Sequence, residues 1–91
     1  MSIMRSRIRA STVTIATTAT AIPTTVLPGR NSIAIKNIGA ATVYIGASDV
    51  TVAAGYELEA GESLPLDTGE NINLYGIVAS GTVEVRILEG T

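Results

Sequence analysis

Thr82-Val83-Glu84-Val85-Arg86-Ile87-Leu88-Glu89 is the stretch that decides the fold class. Val83, Val85 and Ile87 alternate with Thr82, Glu84 and Arg86. Successive side chains of a strand point to opposite faces, so the pattern predicts one face in a core and one in water. The β-branched residues reinforce this, because they pack well on a pleated surface and lose rotamer freedom in a helix. Ser80-Gly81, just before, reads as a tight turn.

Moving towards the N-terminus, Ile72-Asn73-Leu74-Tyr75-Gly76-Ile77-Val78 predicts a second strand, preceded by a polar turn at Thr68-Gly69-Glu70-Asn71. Ser63-Leu64-Pro65-Leu66-Asp67 places Leu64 and Leu66 on one face. Pro65 lacks an amide donor, which assigns this piece to a sheet edge. Ala-Gly-x-x-Leu occurs at 54–58 and again at 60–64, and reads as two similar turn-to-strand junctions. Val50-Thr51-Val52 predicts a further short strand. Ser32-Ile33-Ala34-Ile35-Lys36-Asn37 is a strand with Ile33 and Ile35 inward. Ile38 falls out of phase, and Gly39-Ala40-Ala41 turns the chain into Thr42-Val43-Tyr44-Ile45. These two segments predict a hairpin with a bulge or strand end near Asn37.

The fold expected is all-β: a small antiparallel β-sandwich, jelly-roll-like, of about six to eight short strands, with a small barrel as the alternative closure. Before Gly29 the composition shifts to Ser, Thr and Ala with Pro23 and Pro28. Residues 1–28 are therefore expected to form an extended N-terminal arm, and residues 29–91 the sandwich. Within the arm Val13 and Ile15 alternate with Thr12, Thr14 and Ala16, and Arg5, Arg7 and Arg9 recur with period two opposite Ile8.

Charge is divided in the same way. Arg5, Arg7, Arg9, Arg30 and Lys36 are the only charges before Asp49, whereas all eight carboxylates lie from Asp49 onward beside a single cation, Arg86. The split points to a charged partner, including another copy of the chain. A body of this size has a small core, and with no Cys and no His it has neither disulfides nor a histidine-based metal site to support it. Oligomerisation or docking on a larger surface is the remaining support. Met1 to Ala21 has early arginines and an Ala19-Thr20-Ala21 end, but its alternating middle is too polar for an exported leader, and no run is long enough for a membrane helix.

Little here supports catalysis. Without Cys or His most nucleophile–base pairs cannot be built. Glu57 with Glu59, and Asp67 with Glu70, are carboxylate pairs that read as solvated faces, and a domain this small leaves little room for the cleft that two catalytic carboxylates need. Asp49, Asp67 and Glu70 lack calcium-loop spacing, and no phosphate-binding glycine motif is present. No cofactor and no metal are expected. Nucleic-acid binding would rest on the arm arginines and Arg30 without an aromatic platform, and is not expected. Tyr44, Tyr56 and Tyr75 leave a glycan-binding surface as an alternative.

The series Arg30-Asn31-Ser32-Ile33, Asn37-Ile38-Gly39, Val43-Tyr44-Ile45-Gly46, Asp49-Val50-Thr51, Gly55-Tyr56-Glu57-Leu58, Ala60-Gly61-Glu62-Ser63-Leu64, Leu74-Tyr75-Gly76-Ile77 and Ser80-Gly81-Thr82-Val83-Glu84-Val85-Arg86 resembles small β-sandwich proteins of tailed-bacteriophage virions. The resemblance covers about two-thirds of the chain, excludes the arm, and implies no catalytic residues. It implies a virion structural protein made in the host cytoplasm. The expected role is a capsid decoration, or cement, protein on the capsid exterior that bridges neighbouring subunits of the major capsid protein and acts as a homo-oligomer. A tail or fibre component is the alternative within virions, and a carbohydrate-binding β-module the alternative outside them. Arg5, Arg7, Ile8, Arg9, Val13 and Ile15 are the expected contacts to the capsid or to a sister subunit, with Val13 and Ile15 pairing against another chain's sheet edge.

Overall fold

Alternating burial marks the longer strands in a computed structural model that describes residues 7–91. Eight strands result: β1 (Ile8–Ile15), β2 (Thr20–Ile22), β3 (Ser32–Asn37), β4 (Val43–Gly46), β5 (Tyr56–Leu58), β6 (Ser63–Leu66), β7 (Leu74–Ile77) and β8 (Val83–Gly90). They form two four-stranded sheets, in the orders β1-β8-β3-β6 and β2-β7-β4-β5. Every pairing is antiparallel. The neighbours β1·β8, β2·β7, β3·β6 and β4·β5 are nested about the middle of the chain. Rolling one long hairpin over itself gives this order, so the sandwich is a jelly roll.

The core is aliphatic and lies between the sheets. Val13 and Ile15 from β1, Ile33 and Ile35 from β3, and Val83, Val85 and Ile87 from β8 face Ile22, Val43, Ile45, Leu58 and Val78 from the other layer. Leu64, Leu66 and Leu74 close its margins. Gly76 lets the layers meet: a Cβ there would sit 2.8 Å from Ile22 Cδ1 and 3.2 Å from Val43 Cγ1.

The structure corrects three expectations. First, β3 and β4 do not form a hairpin; β3 pairs with β6 and β8, and β4 with β5 and β7. The inward sets Ile33/Ile35 and Val43/Ile45 meet across the core instead of side by side. Asn37 fixes this crossing. Fully buried, it donates from Nδ2 to Ala41 O at 2.8 Å and to Leu58 O at 2.9 Å, while its Oδ1 accepts the Gly39 amide at 2.9 Å. Second, Val50-Thr51-Val52 is not a strand but leads into a turn at residues 52–54. The amides of Ala54 and Gly55 both donate to Thr51 O, and Val50 packs over Gly46. Third, the described residues of the expected 1–28 arm, 7–28, do not lie outside the sandwich. β1 and β2 are strands of the two sheets, and all eight residues of β1 pair with β8 of the same chain. Val13 and Ile15 are 7% and 0% exposed, so removing this strand would open the core.

One end of the sandwich is held by buried charge. Glu89 continues the inward series Val83, Val85, Ile87 and is fully buried. Its Oε2 accepts Arg30 Nη1 at 3.1 Å and the Leu27 amide at 3.1 Å; its Oε1 accepts Arg9 Nη2 at 3.0 Å. Arg30, also buried, spends its remaining donors on the carbonyls of Thr68, Gly69 and Ile72 at 3.3, 2.8 and 2.6 Å. A buried ion pair repays its desolvation only when such additional hydrogen bonds satisfy it. Here the pair ties β8, the 25–30 loop and the 68–72 loop into one unit.

Candidate docking surface

The outer face of the β1-β8-β3-β6 sheet is set by the residues that alternate with the core. Strand register places Ala10, Leu88, Ala34 and Pro65 in one row across its four strands. The row beside it runs Thr12, Arg86, Lys36 and Ser63. On the other side Ile8 leads to Gly90 and Ser32. Leu88 is 50% exposed and Ile8 76% exposed. Leu88 stands as a ridge, because Ala10, Ala34 and Gly90 around it have little or no side chain.

Two grooves flank this ridge. The larger, of about 690 Å³, is lined by Ile8, Ala34, Pro65 and Leu88, with Arg7 and Asp67 also on its wall. The smaller, of about 240 Å³, is lined by Ala10, Ala34 and Leu88 with Lys36 and Arg86. Lys36 and Arg86 are direct cross-strand neighbours. Like charges so placed repel. Glu84 offsets this only in part, since its contact with Arg86 spans 3.5 Å between exposed groups and is worth at most about 1 kcal/mol. The acidic chain therefore carries a local cationic pair beside an apolar row, on a face that no element among the described residues covers.

The residues expected to make contacts are distributed differently from the expectation. Arg5 lies outside the described residues. Arg7 and Arg9 do share one side, but both turn to their own chain. Arg7 donates from Nη2 to Pro28 O at 2.9 Å, and its amide to Thr91 Oγ1 at 2.8 Å. Arg9 binds Glu89 and Thr25 O. Val13 and Ile15 belong to the core. Ile8, on the opposite side of β1, projects from the outer face, and Arg7 borders the larger groove there. The sequence reading missed Ala10, Ala34, Leu88, Lys36 and Arg86 as a group, since only the pairing of three non-consecutive strands brings them together.

The other candidate groups are scattered. Glu70 Oε1 accepts the Gly29 amide at 2.9 Å, and Glu62 Oε1 accepts the Glu59 amide at 2.9 Å, so these carboxylates hold turns. Among the described residues no three His, Cys, Asp or Glu side chains gather as a metal site. Nor is any described helix long and apolar enough to cross a membrane. On the second sheet, Tyr44 opposes Ile77, and Tyr75 lies two residues before Ile77 on β7. The two tyrosines are therefore diagonal neighbours on that sheet's outer face, both half-buried. Comparison with protein-family models and with curated proteins found no match for this chain.

Proposed function

We propose that this chain is a virion structural protein, a capsid decoration protein that binds the outside of an assembled phage head and bridges neighbouring capsid subunits. The observation that carries the reading is the uncovered apolar row Ala10-Leu88-Ala34-Pro65 beside the repelling Lys36–Arg86 pair. An exposed apolar patch rimmed by charge marks an interaction surface. An acidic capsid surface relieves the repulsion, and burial of Leu88 supplies affinity. Sequence resemblance to small tailed-phage β-sandwich proteins supplies the kind of partner; jelly rolls also serve as lectins, so fold alone does not choose. Binding the assembled lattice in many copies stabilises it by mass action even when each contact is weak.

The test is co-sedimentation of the purified chain with heads of the phage that encodes it. Leu88→Glu places a carboxylate in the apolar row and should weaken binding about thirtyfold, as for a hot-spot loss of about 2 kcal/mol. Unchanged binding would remove the outer face from the interface. Tyr44 and Tyr75 on the opposite sheet favour a second reading, a glycan-binding module. A glycan-array signal lost in both Tyr44→Ala and Tyr75→Ala would establish it. A tail or fibre role differs in copy number: a handful per virion, against hundreds for a decoration protein.

A further inference from the structure

Among the described residues strand β1 is an edge, with β8 as its one sheet neighbour. Arg7 shows which of its backbone groups are used. The Arg7 amide donates to Thr91 Oγ1, and its carbonyl accepts the Thr91 amide at 3.0 Å. Both groups therefore point towards β8. Backbone direction alternates along a strand, so the amides and carbonyls of Ile8, Ala10, Thr12 and Thr14 point away from the sheet. The other edges are blunted. β2 and β5 have three residues each, and β6 has four with Pro65 among them. β1 has eight residues, no proline and no lysine. Edges of this kind pair with another strand unless they are guarded.

A second observation concerns side chains. The buried polar side-chain atoms left without a partner among the described residues are Arg9 Nε and Ser11 Oγ. Both belong to β1. Buried hydroxyls are normally satisfied, and the Ser11 hydroxyl lies at the inner side of the free edge.

We propose that β1 pairs antiparallel with β1 of a second copy about a two-fold axis at Ser11, joining two sandwiches through one continuous eight-stranded sheet. In this register Ala10 and Thr12 exchange backbone hydrogen bonds with Thr12 and Ala10 of the partner copy, and Ile8 does so with its Thr14. The two Ser11 residues form the closely spaced, non-hydrogen-bonded pair at the axis, where their hydroxyls bond each other. The register opposes no like charges: Arg9 is the only charged residue of β1, it faces Val13 of the second copy, and Glu89 already neutralises it. The contact is isologous, so it closes as a dimer. It also joins the outer faces of both copies into one surface, in which the Ala10 row of each copy leads into the Thr12 row of the other. The inference is independent of what that surface binds.

Light scattering on the full chain tests it, with an expected mass twice the 9.3 kDa of one chain. Ala10→Pro removes an amide donor that faces the free edge and none from the β1–β8 ladder. It should yield a folded monomer, with circular dichroism reporting the fold. A monomeric wild-type chain, or a dimer or trimer that persists in folded Ala10→Pro, overturns the proposal. Ser11→Cys decides the register even if the proline variant does not fold. Oxidised glutathione should link it into a covalent dimer while leaving Val13→Cys unlinked. Failure of Ser11→Cys to link, or equal linking of both variants, overturns the Ser11-centred pairing.

Discussion

Glu89 and Arg30 show what a single residue contributes here. Neither is exposed; Arg30 would be an uncompensated buried charge without Glu89, whereas Glu89 without Arg30 would keep only the partly exposed Arg9. Removing one partner of such a pair is costly even where the pair itself adds little net stability. Glu89→Leu, which leaves Arg30 buried without its carboxylate, should therefore lose about 3–5 kcal/mol, a large share of a small domain's stability. Urea unfolding checks this, with Glu57→Gln on the exposed surface expected within about 0.5 kcal/mol of wild type. Gly76 is constrained by space. Gly76→Ala pushes a methyl into Ile22 and should cost about 1–3 kcal/mol by the same measurement. Burial of Glu89 was legible from the sequence, because the two-residue period through Val83, Val85 and Ile87 continues to position 89. Burial of Arg30 was not, since it sits in a loop with no period to read.

Strand existence was far more legible than strand pairing. Period two states which side of a strand is apolar, so β3, β4, β6, β7 and β8 were all readable from their own residues. It does not state the neighbour. Ile33/Ile35 and Val43/Ile45 fit a hairpin and a cross-sheet contact equally well, and a buried Asn37 settles the matter through bonds invisible in the sequence. β1 was misread for a related reason. Its Thr-rich outward positions and its distance in sequence from β8 disguise a core strand as an arm. Deleting residues 1–15 should therefore abolish the cooperative thermal transition seen by circular dichroism, because it exposes β8 and strips Val13 and Ile15 from the core. A stable, folded truncation would contradict the observed pairing. Within the core, Ile35→Ala should destabilise by about 2–5 kcal/mol, as expected where packing cannot collapse around the lost volume.

On the scale of the whole molecule, part of the charge split is used within the chain itself. The described N-terminal arginines are spent within the chain, clamping the 25–28 loop and Glu89. The cations turned outward beside the apolar row are Lys36 and Arg86, on central strands of the sheet. The proposed docking surface is thus a folded face built from β1, β8, β3 and β6, on the side of the molecule opposite the second sheet. Raising the salt concentration should weaken head binding, because screening acts on the exposed Lys36–Arg86 pair. Salt-independent co-sedimentation would leave the apolar row as the sole contact. The central claim is that this face meets the outside of a phage head, and an image reconstruction of the encoding phage tests it most directly. Density for the chain is expected at hundreds of copies over the head, with Leu88 and Lys36 turned towards the capsid. A handful of copies at the tail, or the Tyr44 and Tyr75 face turned towards the shell, would contradict it.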